Sequence, residues 1–180
     1  ELYANSNKQS LVKHLFAVGS VVSLLSARLV TNKTLSDAIF VAGCLHDIGK
    51  VDPVFQQVLN KQSKKNFNFE SYPTHNELSL LLYSLLNDSN YKAINEFNKK
   101  LIKHVLYWHH AKPCRKDEFT KLRCIYKNVK QELDSLLAKA MLLINELSSF
   151  KKIEGLQHSQ FELIKVDEPL PEYKQYEPGK

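Results

Sequence analysis

His46 and Asp47 stand side by side in Ala42-Gly43-Cys44-Leu45-His46-Asp47-Ile48-Gly49-Lys50, a stretch otherwise apolar enough to be buried. Burying an imidazole and a carboxylate without partners costs several kcal/mol, so this pair demands company. A carboxylate has two oxygens and can bridge two metal ions, while the adjacent imidazole holds one of them. Other histidines are placed to join. His14 lies on an apolar stripe between Leu11 and Leu15, His75 follows Pro73-Thr74 directly, and His109-His110 form a tandem shortly before Pro113. Any one of these is most simply a hydrogen-bonded core or surface histidine. As a set they put imidazoles at an edge or mouth of four separate elements, the pattern expected of a metal-dependent hydrolase. His104, beside Lys103, and His158, beyond the last strong helix, are expected to stay out of it.

The elements that must position these residues are helical. Apolar residues at three- and four-residue steps predict helices from about Ser10 to Val30, Leu35 to Leu45, a short one from Pro53 to Leu59, Thr74 to Leu86, Tyr91 to Trp108 and Thr120 to Phe150. Gly49 is placed to stop the second, and Pro113 ends the fifth because the residue before a proline avoids helical geometry. Thr74 with Glu77 three residues on reads as a capping box, which puts His75 at the first helical position. Adjacent residues on a regular helix point roughly 100° apart. His109 and His110 can therefore serve one centre only where the helix ends and the backbone turns. No run of strand alternation and no internal repeat is present.

With 180 residues, only 5 Gly and 6 Pro, the chain reads as one all-α domain over residues 1–150. Residues 151–180 read as a C-terminal extension or linker, with three prolines among alternating charges from Val166 to Lys180. The three cysteines show no Cys-x-x-Cys spacing, which fits reduced thiols in a cytoplasmic protein and excludes a zinc knuckle. Lys13 to Ala27 has the basic start and apolar middle of a secretory signal, but Gly19, Ser20 and Ser23 break the run and His14 sits within it. No stretch approaches the roughly 18 to 20 apolar residues of a membrane span. The net charge of +6 fits an anionic partner, nucleic acid being the commonest. The first residue is Glu1 and not Met, as expected of an excised or trimmed domain.

The order His … His-Asp … His … His-His, with Gly-Lys directly after the His-Asp, resembles the HD superfamily of metal-dependent phosphohydrolases. Finer features resemble the HD nuclease domain of the CRISPR-associated type I interference nuclease-helicase. They are Tyr3-Ala4-Asn5-Ser6 with Gln9-Ser10-Leu11 and His14-Leu15, then His46-Asp47-Ile48-Gly49-Lys50 with Phe55-Gln56, then His75-Asn76-Glu77-Leu78-Ser79, then Trp108-His109-His110-Ala111. The likeness spans about residues 3 to 150. It implies an all-α helical bundle of five or more helices around a dinuclear metal site. His14, His46 and Asp47 would hold the first metal; Asp47, His75, His109 and His110 would hold the second, with Asp47 bridging. That family usually closes the first site with an aspartate on the last helix. The matching stretch here is Ile144-Asn145-Glu146-Leu147-Ser148-Ser149, so Asn145 stands where the aspartate would be, with Asp134 as the fallback.

Imidazoles with one carboxylate suit Mn, Ni, Co, Fe or Zn better than Mg, which favours all-oxygen shells. Two such ions activate water and polarise a phosphate, so the expected reaction is phosphate-ester hydrolysis. Asp47 is the central catalytic group, and Lys50 is expected either to reach the phosphate as a point charge or to sit as a basic residue at a helix end. Lys61, Lys64, Lys65, Lys112, Arg115, Lys116, Lys121 and Arg123, interleaved with Phe67, Phe69, Tyr72, Tyr107 and Trp108, suit single-stranded DNA, with RNA possible. Without a Gly-x4-Gly-Lys-Ser/Thr loop the chain is not the ATP-driven motor. Its expected partners are a CRISPR helicase or the subunits of an effector complex. Two other readings stay open: a phosphohydrolase of nucleotides or cyclic nucleotides, and a catalytically weak docking module.

Overall fold

The computed structural model describes residues 1–29, 32–60, 72–86, 95–110 and 122–150, with seven α-helices and one 3-10 turn among them. These are α1 (Leu11–Ser26), α2 (Lys33–Leu45), the 3-10 turn (Ile48–Val51), α3 (Pro53–Leu59), α4 (His75–Leu86), α5 (Glu96–Trp108), α6 (Leu122–Val129) and α7 (Leu133–Phe150). The fold is all-α, as the periodicity predicts. The expected basic and aromatic residues from Lys61 to Phe69 and from Lys112 to Lys121, the side chain of Arg123, His158 and the 151–180 extension lie outside the described residues. No described helix is long and apolar enough to cross a membrane.

α4 is the hub. Leu78, Leu80, Leu81, Leu82, Tyr83 and Leu85 are all buried, and a helix apolar on every side must be wrapped by others. It packs against the 3-10 turn, α5, α6 and α7, while α1 lies against α2 and α7 and α2 against α5. α1 and α2 approach closely where glycines face each other. A Cβ on Gly43 would stand 2.9 Å from the Gly19 Cα, closer than real contacts allow. This contact fixes His14 on one helix relative to His46 at the end of the other.

Local signals set the helix starts. Asn32 caps α2 by accepting from the Leu35 N–H at 3.2 Å, Asn95 caps α5 by accepting from Asn98 at 2.8 Å, and Asp52 caps α3 by accepting from Phe55 at 3.0 Å. Pro53 follows Asp52 at the first helical position, where its missing N–H costs nothing. The capping box at α4 is half formed. The Thr74 N–H donates to Glu77 Oε2 at 2.7 Å, but the Thr74 hydroxyl pairs with Asn76 Oδ1 instead of the backbone.

Two expectations shift. The helix predicted to reach Val30 ends at Ser26, and Leu25 and Leu29 are exposed. Past Leu15, its buried face passes instead through Gly19 and Ser26, small residues that let α2 come close. The single helix predicted over 120–150 is two helices with a turn at 130–132. Buried Val129 and Leu133 straddle that turn. Their four-residue step is the spacing of an unbroken helix, so periodicity does not register the break.

The first ten residues form a hook before α1. An isolated antiparallel bridge joins Tyr3 to Ser10. Lys8 takes a left-handed conformation (φ 57°) at the bend, and Asn5 Oδ1 accepts from the Asn7 N–H at 3.0 Å. Buried Gln56 clamps the hook from α3: its amide accepts from the Tyr3 N–H at 3.0 Å and donates to the Tyr3 carbonyl at 2.9 Å and the Lys50 carbonyl at 2.7 Å.

Candidate metal centre

Asp47 is 3% exposed and receives side chains from four directions. Its Oδ2 lies 3.3 Å from His14 Nε2 and 3.2 Å from His46 Nε2. Its Oδ1 lies 3.3 Å from His75 Nε2, 3.1 Å from His109 Nε2 and 4.0 Å from His110 Nε2. One carboxylate oxygen therefore gathers the imidazoles of α1 and α2, and the other gathers those of α4 and the turn after α5. The donor atoms form two groups, His14 with His46 and Asp47, and Asp47 with His75, His109 and His110, each within 4.8 Å internally.

Backbone geometry makes neighbouring residues converge. His46 continues the helical conformation of α2 (φ −52°, ψ −38°), whereas Asp47 moves to φ −110°, ψ 18°. That is the sparsely populated bridge region where many active-site residues sit. The switch frees the two side chains from the 100° divergence of a regular helix. His109 and His110 lie in the turn directly beyond Trp108, where α5 ends, His109 still donating its N–H to the Val105 carbonyl.

The surroundings set the tautomers. His46 Nδ1 lies 2.8 Å from the Gly43 carbonyl and His109 Nδ1 2.9 Å from the Leu106 carbonyl. Each Nδ1–H donates there, which leaves Nε2 to face Asp47. Such bonds orient metal-binding imidazoles and raise their basicity. His75 Nε2 is buried without a hydrogen bond. Nitrogen lone pairs turned toward carboxylate oxygens require cations between them, either protons or metal ions. The donor set fits divalent transition ions.

Charge at the cluster is uneven. Burial alone would raise the Asp47 pKa, but the imidazoles of His109, His46 and His75 crowded around its oxygens outweigh it and hold the carboxyl far below the usual carboxylate range. His110 is pushed down to about 4 by burial, then by neighbouring His109 and His75. His14 is lowered by burial and by His46. His110 is thus neutral well below neutral pH, as metal ligation requires, and His14 is shifted in the same direction.

Lys50 does not reach outward. Its ammonium donates to Asp47 Oδ2 at 2.6 Å and to the Ala4 carbonyl at 3.0 Å, and it lies 5.5 Å from the centre of the Phe55 ring. Lys50 sits in the last turn of the 3-10 helix, one of its two expected places, and from there holds the carboxylate and the N-terminal hook.

Asn145 lies on the exposed side of α7 and makes no hydrogen bond to the cluster; Asp134, in the first turn of α7, is exposed as well. His104 is half-buried, with its ring 6.3 Å from that of Trp108.

Four residues that the sequence does not assign to the site hold it together. Asn76 donates to the Tyr107 carbonyl at 2.8 Å, joining the start of α4 to the end of α5 and so His75 to His109. Ser79 donates to the His75 carbonyl at 2.8 Å and accepts from the Gly49 N–H at 2.9 Å. Gly49 permits this contact, because a Cβ there would collide with the His75 carbonyl oxygen and stand 2.7 Å from Ser79 N. Gln56 clamps the hook that carries Ala4. Their motifs stand out in the sequence, but their partners are backbone atoms that carry no residue signature.

The family model described as Cas3, HD domain, matches residues 4–165 of the chain. Comparison with curated proteins and with solved structures returned no match.

Proposed function

Because the chain belongs to the HD-domain family of the Cas3 nuclease-helicase, we propose that the Asp47 cluster is the dinuclear metal centre of a phosphodiesterase cutting single-stranded DNA in CRISPR interference. One observation carries this reading: the two oxygens of a single buried carboxylate each face a separate set of imidazole nitrogens. On this reading His14, His46 and Asp47 would hold one ion, and Asp47, His75, His109 and His110 would hold the other. Bound there, divalent ions supply Lewis acidity and a nucleophilic water at neutral pH.

The chain's own residues set the rest. Asp47 bridges and orients the two donor sets. His46 and His109 keep their Nε2 atoms free by donating from Nδ1 to backbone carbonyls. Lys50 is a positioning residue, fixing Oδ2 against the hook. The first subsite has fewer imidazoles and shares its oxygen with Lys50, and Asn145, neutral where the family usually has an aspartate, lies on the exposed side of α7 without a hydrogen bond to it. It is the weaker of the two. Natural partners on this reading are the helicase or other effector subunits that deliver the strand.

Cleavage of labelled single-stranded DNA, duplex DNA and RNA with Mn, Ni or Mg, by the wild type and by Asp47→Ala, tests this directly. Single-stranded DNA is cut by the wild type and not by the variant. Turnover of free or cyclic nucleotides with no cut polymer refutes the nuclease reading. Failure to retain metal refutes the centre itself.

A further inference from the structure

A small cavity of about 130 Å³ opens beside the metal centre, walled chiefly by Phe55, Val58, Tyr72, Pro73, His75 and Leu78. His75 belongs to both places. Its Nε2 faces Asp47 Oδ1 at 3.3 Å, and its ring lies 5.3 Å from the Phe55 ring that flanks the cavity. The side-chain oxygens on the walls are engaged. Asp52 accepts from Phe55 N–H and from the Tyr72 hydroxyl, each at 3.0 Å, and Thr74 is paired with Glu77 and Asn76. The cavity therefore offers apolar and aromatic faces and little hydrogen-bonding capacity.

We propose that this cavity is a nucleobase slot that seats one base of the strand next to the phosphate being cut, with a size preference for pyrimidines. The proposal rests on the nuclease reading above. A phosphate at the imidazole cluster carries its flanking nucleosides one sugar away on either side, and the cavity begins at one of the cluster's own imidazoles. An apolar cavity of about 150 Å³ takes benzene, so this one accepts a single six-membered ring. The ring of a pyrimidine fits this volume with its polar edge left at the mouth, while the two fused rings of a purine exceed it. With its polar groups already paired, the slot recognises a base by its faces, which gives tolerance of sequence with discrimination by size. It would also fix the register of the strand, since a seated base sets which phosphate meets Asp47.

The test uses the full chain loaded with Mn and oligothymidylates in which one abasic residue is moved step by step past the cut site. At one register the abasic residue raises KM about tenfold, the size of one base–aromatic stack, and a purine at that register falls between. Phe55→Ala weakens cutting of the intact strand and flattens the abasic scan. Val58→Trp, which fills the cavity from a partly exposed position, does the same and keeps the test open where Phe55→Ala misfolds. Binding of a hydrolysis-resistant phosphorothioate strand, read by fluorescence anisotropy, follows the same order. Cutting that is indifferent to the position of the abasic residue overturns the slot and leaves the nuclease reading standing. No cutting of any strand overturns the nuclease reading.

Discussion

Replacing Lys50 by Met separates the two jobs assigned to its ammonium. Lys50 and Asp47 are 12% and 4% exposed at the side chain and 2.6 Å apart, a buried ion pair. Removing one partner of such a pair costs about 3–5 kcal/mol, because the other charge is left behind. Asp47 keeps its imidazole neighbours, which puts the expected loss near the lower end, about 3 kcal/mol for the metal-free protein. In a chain of this size each kcal/mol moves Tm by roughly 2–4 °C, so the variant melts about 6–12 °C below wild type in EDTA. Saturating Mn restores positive charge to the carboxylate but does not replace the hydrogen bond to the Ala4 carbonyl, worth about 1.5 kcal/mol. The gap should therefore narrow to about half when metal is bound, and the metal-induced rise in Tm should be larger in the variant than in the wild type. Thermal melts followed by circular dichroism, with EDTA or Mn, give both numbers. The same Tm gap in the two conditions would show that Lys50 acts on the hook alone and that its link to the metal oxygen is incidental.

Other perturbations bear on separate parts of the scaffold. Gly49→Ala drives a Cβ into the His75 carbonyl and should cost about 3 kcal/mol in urea unfolding, at the upper end for an overpacked site; a wild-type midpoint would mean that α4 shifts freely. Asn76→Ala loses the bond to the Tyr107 carbonyl. It should lower metal affinity about 10- to 100-fold by calorimetry while costing only about 1 kcal/mol of stability. The pH dependence follows from the lowered histidines. His110, held near 4, and His14 bind protons less readily in the folded chain than in the unfolded one, where histidine titrates near 6.5. The metal-free protein thus keeps its full stability above about pH 6.5 and loses it as pH falls toward 4; a flat Tm across that window in EDTA contradicts the assignment.

The helix that begins at His75 was legible because proline, threonine and glutamate mark its start chemically. The identity of its cap bond was not, since Asn76 competes for the threonine hydroxyl with a partner of equal reach. The histidines were legible as residue types at helix mouths. Their convergence on two separate oxygens depends on the bridge conformation of Asp47, which no spacing encodes. Lys50 shows the opposite limit. A lysine one turn past the pair is expected either to reach a phosphate or to sit at a helix end, and its inward turn depends on the hook carbonyl brought back from Ala4. Asn145 was visible as a departure from the family pattern, but periodicity placed it no more finely than beside the buried face of α7.

The donors around Asp47 run from His14 to His110, and each stretch between them must close before the centre exists. Loop closure of this kind is an entropic toll met only when most of the chain has condensed. No early-folding fragment, such as the α1–α2 pair alone, can carry a complete centre, because one carboxylate oxygen would still lack its imidazoles. Assembly of the candidate centre is thereby coupled to completion of the fold. A chain still being made, or one partly unfolded, cannot present both imidazole sets to Asp47.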